Sequence, residues 1–202
     1  QLGIPVTSLV ALLSVVSLAV SLAVQSVLSN IAGGLVILVT KPFQLGDLVE
    51  TADGLGTVKE ISLTFTKLET PDGLWLMTPN SVLSSGKITN YTALGRRRAE
   101  IRVGASYDAA VSDVRAACLD AAARVPGVLP DPAPIVYVDS YGESSISYIV
   151  RVWCRSEDYT DVYYGLTEGL KAAFDEHGVE MPYNHLNIHI LDQTEQKEKQ
   201  TV

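Results

Sequence analysis

The first forty residues of the chain carry no charged side chain, and this feature limits the possible folds more than any other. From residue 4 to residue 24 the stretch consists mainly of Leu, Val, Ala and Ser. About 20 helical residues cross the roughly 30 Å hydrocarbon layer of a membrane. The stretch therefore predicts one membrane-spanning helix, and we expect a membrane protein.

Two other interpretations of this stretch fit less well. A secretory signal peptide needs a basic segment before an apolar region of roughly 7–15 residues, whereas this stretch lacks the basic segment and stays apolar for longer. A helix buried in a soluble core has little use for small and polar residues recurring at helical spacing. Because the chain starts with Gln1 rather than Met, we expect a fragment or a processed product.

Charge is distributed unevenly over the rest of the chain, whose formal net charge is −8. Residues 41–102 carry eight basic and seven acidic side chains, whereas residues 103–202 carry seven basic and sixteen acidic ones. Nucleic-acid-binding surfaces are normally basic, so we expect no nucleic-acid partner. The basic run Arg96–Arg98 is interpreted as a solvated or lipid-facing patch between strands. Lys41 directly after the span predicts, by the positive-inside tendency, that residues 41–202 are cytoplasmic.

The sequence contains no common catalytic or cofactor-binding motif, such as HExxH, GxSxG, a P-loop or a Rossmann fingerprint, so we expect neither enzyme activity nor a cofactor. His185 and His189 would share one strand face, but they lack an acidic or cysteine partner at metal-ligand spacing, so we expect no metal site. Cys118 and Cys154 lie in apolar stretches without CxxC spacing, which predicts two buried, reduced thiols.

The long helical stretch is expected to change direction in its second half. Gln25, Ser26 and Asn30 interrupt the apolar pattern, and Gly33–Gly34 follow. Glycine lowers helix propensity by about 1 kcal/mol relative to alanine, so the glycine pair marks either a bend or a close helix contact. The pattern favours two helical segments that meet near Gln25 and Ser26, with the helical pattern ending at Pro42.

Alternation of polar and apolar residues after the helix predicts a small β-domain. The alternation shifts by one position between Val58 and Ile61, which indicates a bulge or two strands. Pro71, Asp72 and Gly73 form a tight turn into the next strand, so we expect a hairpin there. Short strands separated by turns favour a small β-barrel or sandwich.

The following region predicts an α+β domain. Its expected elements are a strand starting at Ile101–Val103, a helix at Ala109–Val125, the strands IVYVDSY and SISYIVRVWC joined near Gly142, and a helix at Asp161–His177 closed by Gly178. The order β-α-β-β-α predicts a ferredoxin-like unit. Beyond it, HLNIHIL predicts a short strand and the polar end of the chain a disordered tail.

One face of the first helix carries Leu18 and Leu22 between two flanks of small residues. At about 100° per residue, three serines lie on one flank and two alanines on the other: Ser14, Ser17, Ser21, Ala19 and Ala23. Small residues let membrane helices approach closely. If copies of the chain pack serine flank against alanine flank around an axis, the leucines face that axis and form a constriction that blocks ions by dewetting. Alternatively, the leucines face lipid and the small residues contact another helix.

An ordered series of short motifs indicates a family. LAVQSVLSNIAGG is followed by KPFQLGDLVE, GTVKEISL, TPNSVL, ITNYT, GASYD and SYIVRVWC. In this order they resemble the small-conductance mechanosensitive channel (MscS) family, and the resemblance covers roughly residues 8 to 191.

The resemblance implies a mechanosensitive ion channel that membrane tension opens and that releases ions and small osmolytes on hypo-osmotic shock. Leu18 and Leu22 match the two leucine rings that seal the closed pore. Gln25 and Ser26 match the hinge, and Asn30 and Gly34 match positions in the kinked second half near the membrane surface. The resemblance also implies a homoheptamer in the cell inner (plasma) membrane, in contact with lipid.

By the same resemblance the chain divides into four parts. Residues 1–40 form the pore-lining helix and a kinked interfacial helix, and residues 41–94 an Sm-like β-domain. Residues 95–184 form the α/β domain of a cytoplasmic vestibule, and residues 185–202 contain a short barrel strand and the tail. The alternative function is a membrane-anchored Sm-like scaffold or binding protein without channel activity. It would need a basic groove with aromatic residues, which residues 41–94 do not suggest.

The chain departs from the family pattern at four serines. The family often has glycine where this pore helix has Ser14, Ser17 and Ser21, and glycine at the hinge where it has Ser26. A serine hydroxyl can bond back to the preceding turn or across to a neighbouring helix. We therefore expect tighter helix contacts and a stiffer hinge in this chain.

Overall fold

The computed structural model describes residues 6–186 and residue 188, and the chain divides into two compact units, Gln1–Gly95 and Arg96–Val202. The first residues of the predicted span, most of the predicted strand HLNIHIL and the predicted disordered tail lie outside the described residues. The described part of HLNIHIL has no strand assignment.

The first unit begins with α1, a single helix of 35 residues from Val6 to Thr40. Helical structure is continuous through Gln25 and Ser26, so the two predicted segments belong to one uninterrupted helix, and the change of direction between them stays a prediction. Neither residue removes a backbone donor as proline does, and the helix therefore persists. It ends where Lys41 adopts a left-handed conformation with φ 47° and donates its N–H to the Ile37 carbonyl at 2.9 Å. Pro42 then prevents continuation, as predicted.

Among the described residues, α1 is the helix long and apolar enough to cross a membrane, with a mean hydropathy of 2.3 over its most apolar window. No residue of that window is buried within the chain. Burial begins only near the end of the helix, at Gly33, Gly34 and Ile37. The unburied apolar part of α1 therefore needs lipid or other protein chains around it, because exposing so large an apolar surface to water is unfavourable.

A five-stranded antiparallel sheet follows α1. Its strands are β1 (Leu48–Thr51), β2 (Gly54–Ile61), β3 (Phe65–Glu69), β4 (Trp75–Pro79) and β5 (Thr89–Asn90), in the order β4-β3-β2-β1-β5. The register shifts between Val58 and Glu60, and β2 ends at Ile61, so the slipped alternation reflects both a bulge and two strands. The predicted hairpin joins β3 to β4, with Glu69 opposite Trp75.

The short helix α2 (Asn80–Ser85) lies between β4 and β5 and was not predicted. It contributes Leu83 to the core of the first unit, which also includes Ile37 from α1 and Phe43 from the loop after it. The sheet supplies the other buried apolar side chains, Val49, Val58 and Leu68. The end of α1 is therefore part of the same core as the sheet.

The second unit has the predicted element order, β-α-β-β-α. The elements are β6 (Arg96–Ala105), α3 (Val111–Arg124), β7 (Ile135–Tyr141), β8 (Ile146–Arg155) and α4 (Tyr159–Glu176), and the antiparallel sheet has the order β6-β8-β7. Gly178, with φ 66°, ends α4 as predicted. The Val179 N–H donates to the Phe174 carbonyl at 2.8 Å, the backbone bond of a Schellman motif.

Arg96–Arg98 lie inside β6, not between strands as predicted. Strand alternation sends Arg97 to the opposite face from its two neighbours. The guanidinium of Arg96 lies 5.2 Å from the ring centroid of Trp153, and that of Arg97 lies 3.5 Å from the ring centroid of Tyr159. Arg96 and Arg98 are exposed, as expected for a solvated patch, whereas Arg97 is half-buried against Tyr159.

Both cysteines are buried free thiols, as predicted. Burial raises the pKa of Cys118 to about 12 and also raises the pKa of Cys154. Protonated, enclosed thiols are poor nucleophiles, so these two side chains contribute to packing rather than chemistry.

Candidate functional site

The leucines singled out from the sequence lie one helical turn apart on α1 and are largely exposed. The exposed fraction is 61% for Leu18 and 62% for Leu22, against 65% for Leu13 on the opposite arc. A single chain therefore leaves both arcs equally open. The two arcs would differ in burial once lipid or other protein chains surround α1.

Two of the three serines beside these leucines satisfy their hydroxyl groups within the helix. Ser14 Oγ donates to the Val10 carbonyl and Ser21 Oγ donates to the Ser17 carbonyl, both at 2.8 Å. This is the bonding back to the preceding turn that the sequence suggested as one possibility. An internally bonded hydroxyl can face an apolar neighbour without an unsatisfied donor, so this flank is compatible with a lipid-like environment. Ala19 and Ala23 are exposed on the other flank.

Gln25 and Ser26 are exposed positions in the middle of α1, and Asn30, one turn later, is half-buried. The Asn30 side chain has two partners. Its Nδ2 donates to the Ser26 carbonyl at 3.0 Å, and its Oδ1 accepts the backbone N–H of Ser81 at 3.1 Å. Ser81 lies in the first turn of α2, where backbone N–H groups lack helical partners. Asn30 thus joins Ser26, at the predicted hinge, to α2 and acts as a tertiary cap for that helix.

Gly33 and Gly34 lie in close contact with other parts of the first unit. A Cβ atom on Gly33 would lie 2.6 Å from the Asn80 carbonyl oxygen, and one on Gly34 would lie 2.3 Å from the Leu63 carbonyl oxygen. Real Cβ atoms do not approach other heavy atoms so closely. Of the two explanations for the glycine pair, a close contact is the one observed.

Asn80 fixes the surface on which the two glycines lie. Its side chain is fully buried, accepting from Thr66 Oγ1 at 2.8 Å and donating to the Ser62 carbonyl at 2.8 Å. Its own N–H donates to the Thr64 carbonyl at 3.0 Å. A buried amide with satisfied donors and acceptor specifies one arrangement of the chain. Asn80 was not predicted from the sequence, although the pair Asn80–Ser81 directly before the apolar residues Val82 and Leu83 is a recognisable helix-start signal.

These contacts form one continuous junction. We call it the α1–α2 junction and define it as Asn30, Gly33, Gly34, Asn80 and Ser81. It connects a helix with no burial in its apolar window to a sheet with a well-formed core. Displacement of α1 must therefore either carry α2 with it or break this set of contacts.

Comparison with known proteins matched two family models. The model described as "Mechanosensitive ion channel, beta-domain" matches residues 26–93, and the model described as "Mechanosensitive ion channel MscS, C-terminal" matches residues 99–181. Together these matches include the α1–α2 junction, the five-stranded sheet and nearly all described elements of the second unit.

Similar full-length proteins include an uncharacterized MscS family protein of Synechocystis, 33% identical over 98% of this chain and 67% of that protein. A small-conductance mechanosensitive channel of Edwardsiella ictaluri is 33% identical over 86% of this chain and 60% of that protein. The chain thus spans about two thirds or less of the length of these relatives.

Solved structures with a similar fold include the closed state of Helicobacter pylori MscS. It has a TM-score of 0.87 and 30% identity, covering 95% of this chain and 76% of that one. Arabidopsis thaliana MSL1 has a TM-score of 0.75 and 21% identity, covering 90% of this chain and 68% of that one, which is a likeness of fold alone.

Proposed function

The chain belongs to the MscS family of mechanosensitive channels, and from this membership we propose that it forms the pore and cytoplasmic part of a channel opened by membrane tension. The proposed role is release of ions and small osmolytes on hypo-osmotic shock. The observation that carries the proposal is α1 itself, a membrane-length apolar helix unburied over its apolar window and joined at its end to a folded sheet.

In the proposed closed state, Leu18 and Leu22 from several copies surround a central axis. Rings of leucine make a narrow apolar constriction from which water withdraws, and ions do not cross a dry segment. The small residues on either side support this packing. The serine flank, with its hydroxyls bonded internally at Ser14 and Ser21, meets the Ala19 and Ala23 flank of the next copy without an unsatisfied donor.

Opening requires tension to favour a state of larger area in the membrane plane. Moving from about 1% to about 99% open needs roughly 5.5 kcal/mol of differential stabilisation, which tension multiplied by the area change must supply. In the open state the helices tilt or rotate and the leucines leave the axis.

The proposed hinge is at Gln25 and Ser26. Because α1 is helical through both residues, the hinge works here as a bend within a continuous helix rather than as a break between two. The Asn30 bonds to the Ser26 carbonyl and to Ser81 lie beside it and would oppose bending. Gly33 and Gly34 would keep the following turn docked on α2 while the preceding part of the helix moves.

We assign the remaining parts of the channel as follows. Residues 1–40 are the pore helix and its interfacial continuation, residues 41–94 an Sm-like β-domain, and residues 95–184 a ferredoxin-like vestibule domain. The bulged five-stranded antiparallel sheet supports the second assignment, and the β-α-β-β-α order supports the third.

We further propose that the assembly is a homoheptamer in the cell inner membrane, with residues 41–202 in the cytoplasm. Family membership supports the assembly, and Lys41 immediately after the apolar helix supports the orientation. Membrane lipids, permeant ions and small osmolytes are then its partners.

The deciding experiment uses the chain with its natural upstream segments, expressed in cells that lack their own channels of this kind. We expect survival of hypo-osmotic shock and tension-dependent currents in membrane patches. Assembly in the membrane without current or protection would refute the channel function and favour the scaffold function instead.

A further inference from the structure

One carboxylate, that of Asp47, binds the loop after α1 to a distant segment of the same unit. Asp47 Oδ2 accepts the Gln44 backbone N–H at 2.8 Å and the Asn90 side-chain Nδ2 at 2.9 Å. Its Oδ1 accepts from Thr92 Oγ1 at 2.7 Å. Gln44 lies four residues beyond the end of α1, whereas Asn90 and Thr92 lie more than forty positions later.

The partners of Asp47 belong to a well-ordered turn. Asn90 Oδ1 accepts the backbone N–H groups of Thr92 and Ala93 at 3.0 and 2.9 Å. The Leu48 N–H donates to Thr92 Oγ1 at 3.2 Å, and the Tyr91 N–H donates to the Leu48 carbonyl at 2.9 Å. We call residues 90–95 the linker, because Arg96 begins the second unit.

The environment of Asp47 favours its charged form. Burial alone would raise the pKa of this half-buried carboxyl group, but the hydrogen bonds from Thr92, Asn90 and Gln44 outweigh burial and lower the pKa below its ordinary value of 3.8. Asp47 is therefore negatively charged at cytoplasmic pH. Hydrogen bonds to a charged acceptor are roughly twice as strong as neutral ones. The three hydrogen bonds that Asp47 accepts therefore hold the loop more strongly than three bonds to a neutral acceptor would.

The position of this cluster matters because the polypeptide leaves α1 through the loop that Asp47 holds. Phe43, in the same loop, is buried in the core together with Ile37 of α1, so the loop follows the end of the helix. A shift of that end displaces Gln44 and, through the carboxylate, Asn90 and Thr92. The covalent path from α1 to the linker crosses four strands and α2, whereas the path through Asp47 crosses one side chain.

We propose that Asp47 is a positioning residue that couples movement of the C-terminal end of α1 to the linker leading into the second unit. The inference depends on the proposed function in one respect, namely that α1 moves when the channel opens. Loss of the Asp47 contacts frees the helix end from the linker, so less tension is needed to move it.

The test uses the full-length channel with Asp47→Asn, Thr92→Val and the double variant. Asp47→Asn keeps the shape but replaces one acceptor by a donor that faces other donors, and Thr92→Val keeps the shape but removes a donor. Thr92→Ser retains the hydroxyl and is expected to behave as wild type. Asp53→Asn is the matched control, because Asp53 accepts from Thr78 Oγ1 at 2.9 Å in the same unit without contacting the linker.

At the tension that half-opens the wild type, we expect Asp47→Asn and Thr92→Val each to raise the open-to-closed ratio by roughly tenfold, the size expected for losing a charged hydrogen bond. The double variant should change the ratio no more than either single variant, because residues acting as one unit are not additive. Conductance and thermal midpoint should stay close to those of Asp53→Asn. Hydrogen exchange at Thr92 and Ala93 should speed up in Asp47→Asn but not in the control Asp53→Asn.

Three results would overturn the inference in distinguishable ways. If the wild type and Asp53→Asn respond to tension while Asp47→Asn changes the ratio less than twofold, Asp47 does not couple α1 to the linker, although the channel function stands. Additive effects in the double variant, with a matching fall in thermal midpoint, would show ordinary loop stabilisation instead. If the wild type does not respond to tension at all, both the proposed function and this inference are wrong.

Discussion

Asn30 of α1 accepts the backbone N–H of Ser81 in α2 at 3.1 Å, across 51 positions of sequence. The same side chain donates to the Ser26 carbonyl at 3.0 Å, so one amide group connects the proposed hinge to the sheet-bearing unit. Pro79, which precedes α2, has no side chain that can cap it, and Asn30 supplies that function from another helix.

Two substitutions of Asn30 should separate the cap from the hinge contact. Asn30→Asp keeps the acceptor for the Ser81 N–H, whereas Asn30→Leu removes it and leaves that N–H without its partner. Losing a cap costs about 1 kcal/mol. We expect Asn30→Leu to lower the thermal midpoint and Asn30→Asp to keep it near wild type, whereas both variants lose the donation to the Ser26 carbonyl and should alter inactivation in patch recordings. Equal effects of the two variants on the thermal midpoint would show that the Ser81 contact is unimportant.

Gly34→Ala should weaken the α1–α2 junction although it raises helix propensity. In a helix without tertiary contacts the change is favourable by about 1 kcal/mol. Here the added Cβ would lie 2.3 Å from the Leu63 carbonyl oxygen and 2.7 Å from Asn80 Nδ2, so the helix must move away. Overpacking of this kind costs roughly 1–3 kcal/mol. We expect a lower thermal midpoint and a changed tension threshold.

The control for this variant is Ala32→Gly, an exposed neighbour on α1. It should lose about 1 kcal/mol of stability through helix propensity alone and keep the wild-type threshold. If Gly34→Ala is more stable than wild type, the close contact does not exist in the assembled protein.

Much of this fold follows from patterns that local physics enforces. A long uncharged stretch with no proline after residue 5 and before Pro42 can satisfy its backbone only as a helix, and α1 ends at Thr40 accordingly. The slipped alternation near Val58 predicted an irregularity because side chains alternate along a strand, and a bulge is found there. Gly178 was predicted to end α4 because glycine adopts positive φ without strain.

The features that sequence reasoning missed depend on distant partners. Six residues are too few for α2 to show helical periodicity, and its first turn is capped by Asn30 from far along the chain. Arg97 lies over Tyr159, a contact that neither residue's neighbours indicate. Gln25 and Ser26 do not interrupt α1, because both keep the backbone N–H that a helix needs, and the expected bend at these residues stays a prediction. That Leu18 and Leu22 face a pore axis stays a prediction, because a single chain contains no neighbouring helix against which it can be tested.

The two buried thiols should resist modification in the folded protein. Because burial raises the pKa of Cys118 to about 12 and raises that of Cys154, almost no thiolate is present at neutral pH. We expect no labelling of the native protein by a maleimide at neutral pH and labelling of both residues after denaturation. Leu94→Cys, at a position 86% exposed, is the positive control. Native labelling at the rate of that control would contradict the enclosed packing of α3 and β8.

A cluster joining the ends of α3 and α4 should make the stability of the second unit sensitive to acid. Arg124 on α3 donates hydrogen bonds to Asp120 on the same helix. Its Nη1 also donates to Glu176 Oε1 on α4 at 3.0 Å, and His177 Nε2 lies 3.0 Å from Asp120 Oδ2. Hydrogen bonds from His177 and then Arg124 lower the pKa of Asp120 below 3.8, and the hydrogen bond from Arg124 lowers the pKa of Glu176 below 4.5.

The sign of the pH effect follows from these shifts. A carboxyl group with a lowered pKa in the folded state adds stability above its ordinary pKa and loses it as the pH falls through the folded value. We expect the thermal midpoint of the wild type to fall more steeply below about pH 4.5 than that of Arg124→Gln, whereas the exposed control Arg115→Gln should follow the wild type. Parallel pH profiles for all three proteins would show that the cluster does not stabilise the fold.

The pore assignment is tested by exchanging leucine for serine on opposite arcs of α1. At about 100° per residue, Leu13 lies about 140° from Leu18 and about 180° from Leu22, and all three side chains are similarly exposed in the single chain. If Leu18 and Leu22 line the constriction, Leu18→Ser or Leu22→Ser places hydroxyl groups at the axis in every copy.

Removing one leucine side chain changes the free energy of hydration by roughly 1.5–3 kcal/mol. The open-to-closed ratio at the wild-type half-opening tension should therefore rise at least about tenfold, with slower growth of the host cells, while Leu13→Ser leaves the tension response unchanged. A rise for Leu13→Ser equal to that for Leu18→Ser would mean that serine acts by perturbing the helix, and a rise for Leu13→Ser alone would place the pore on the other arc.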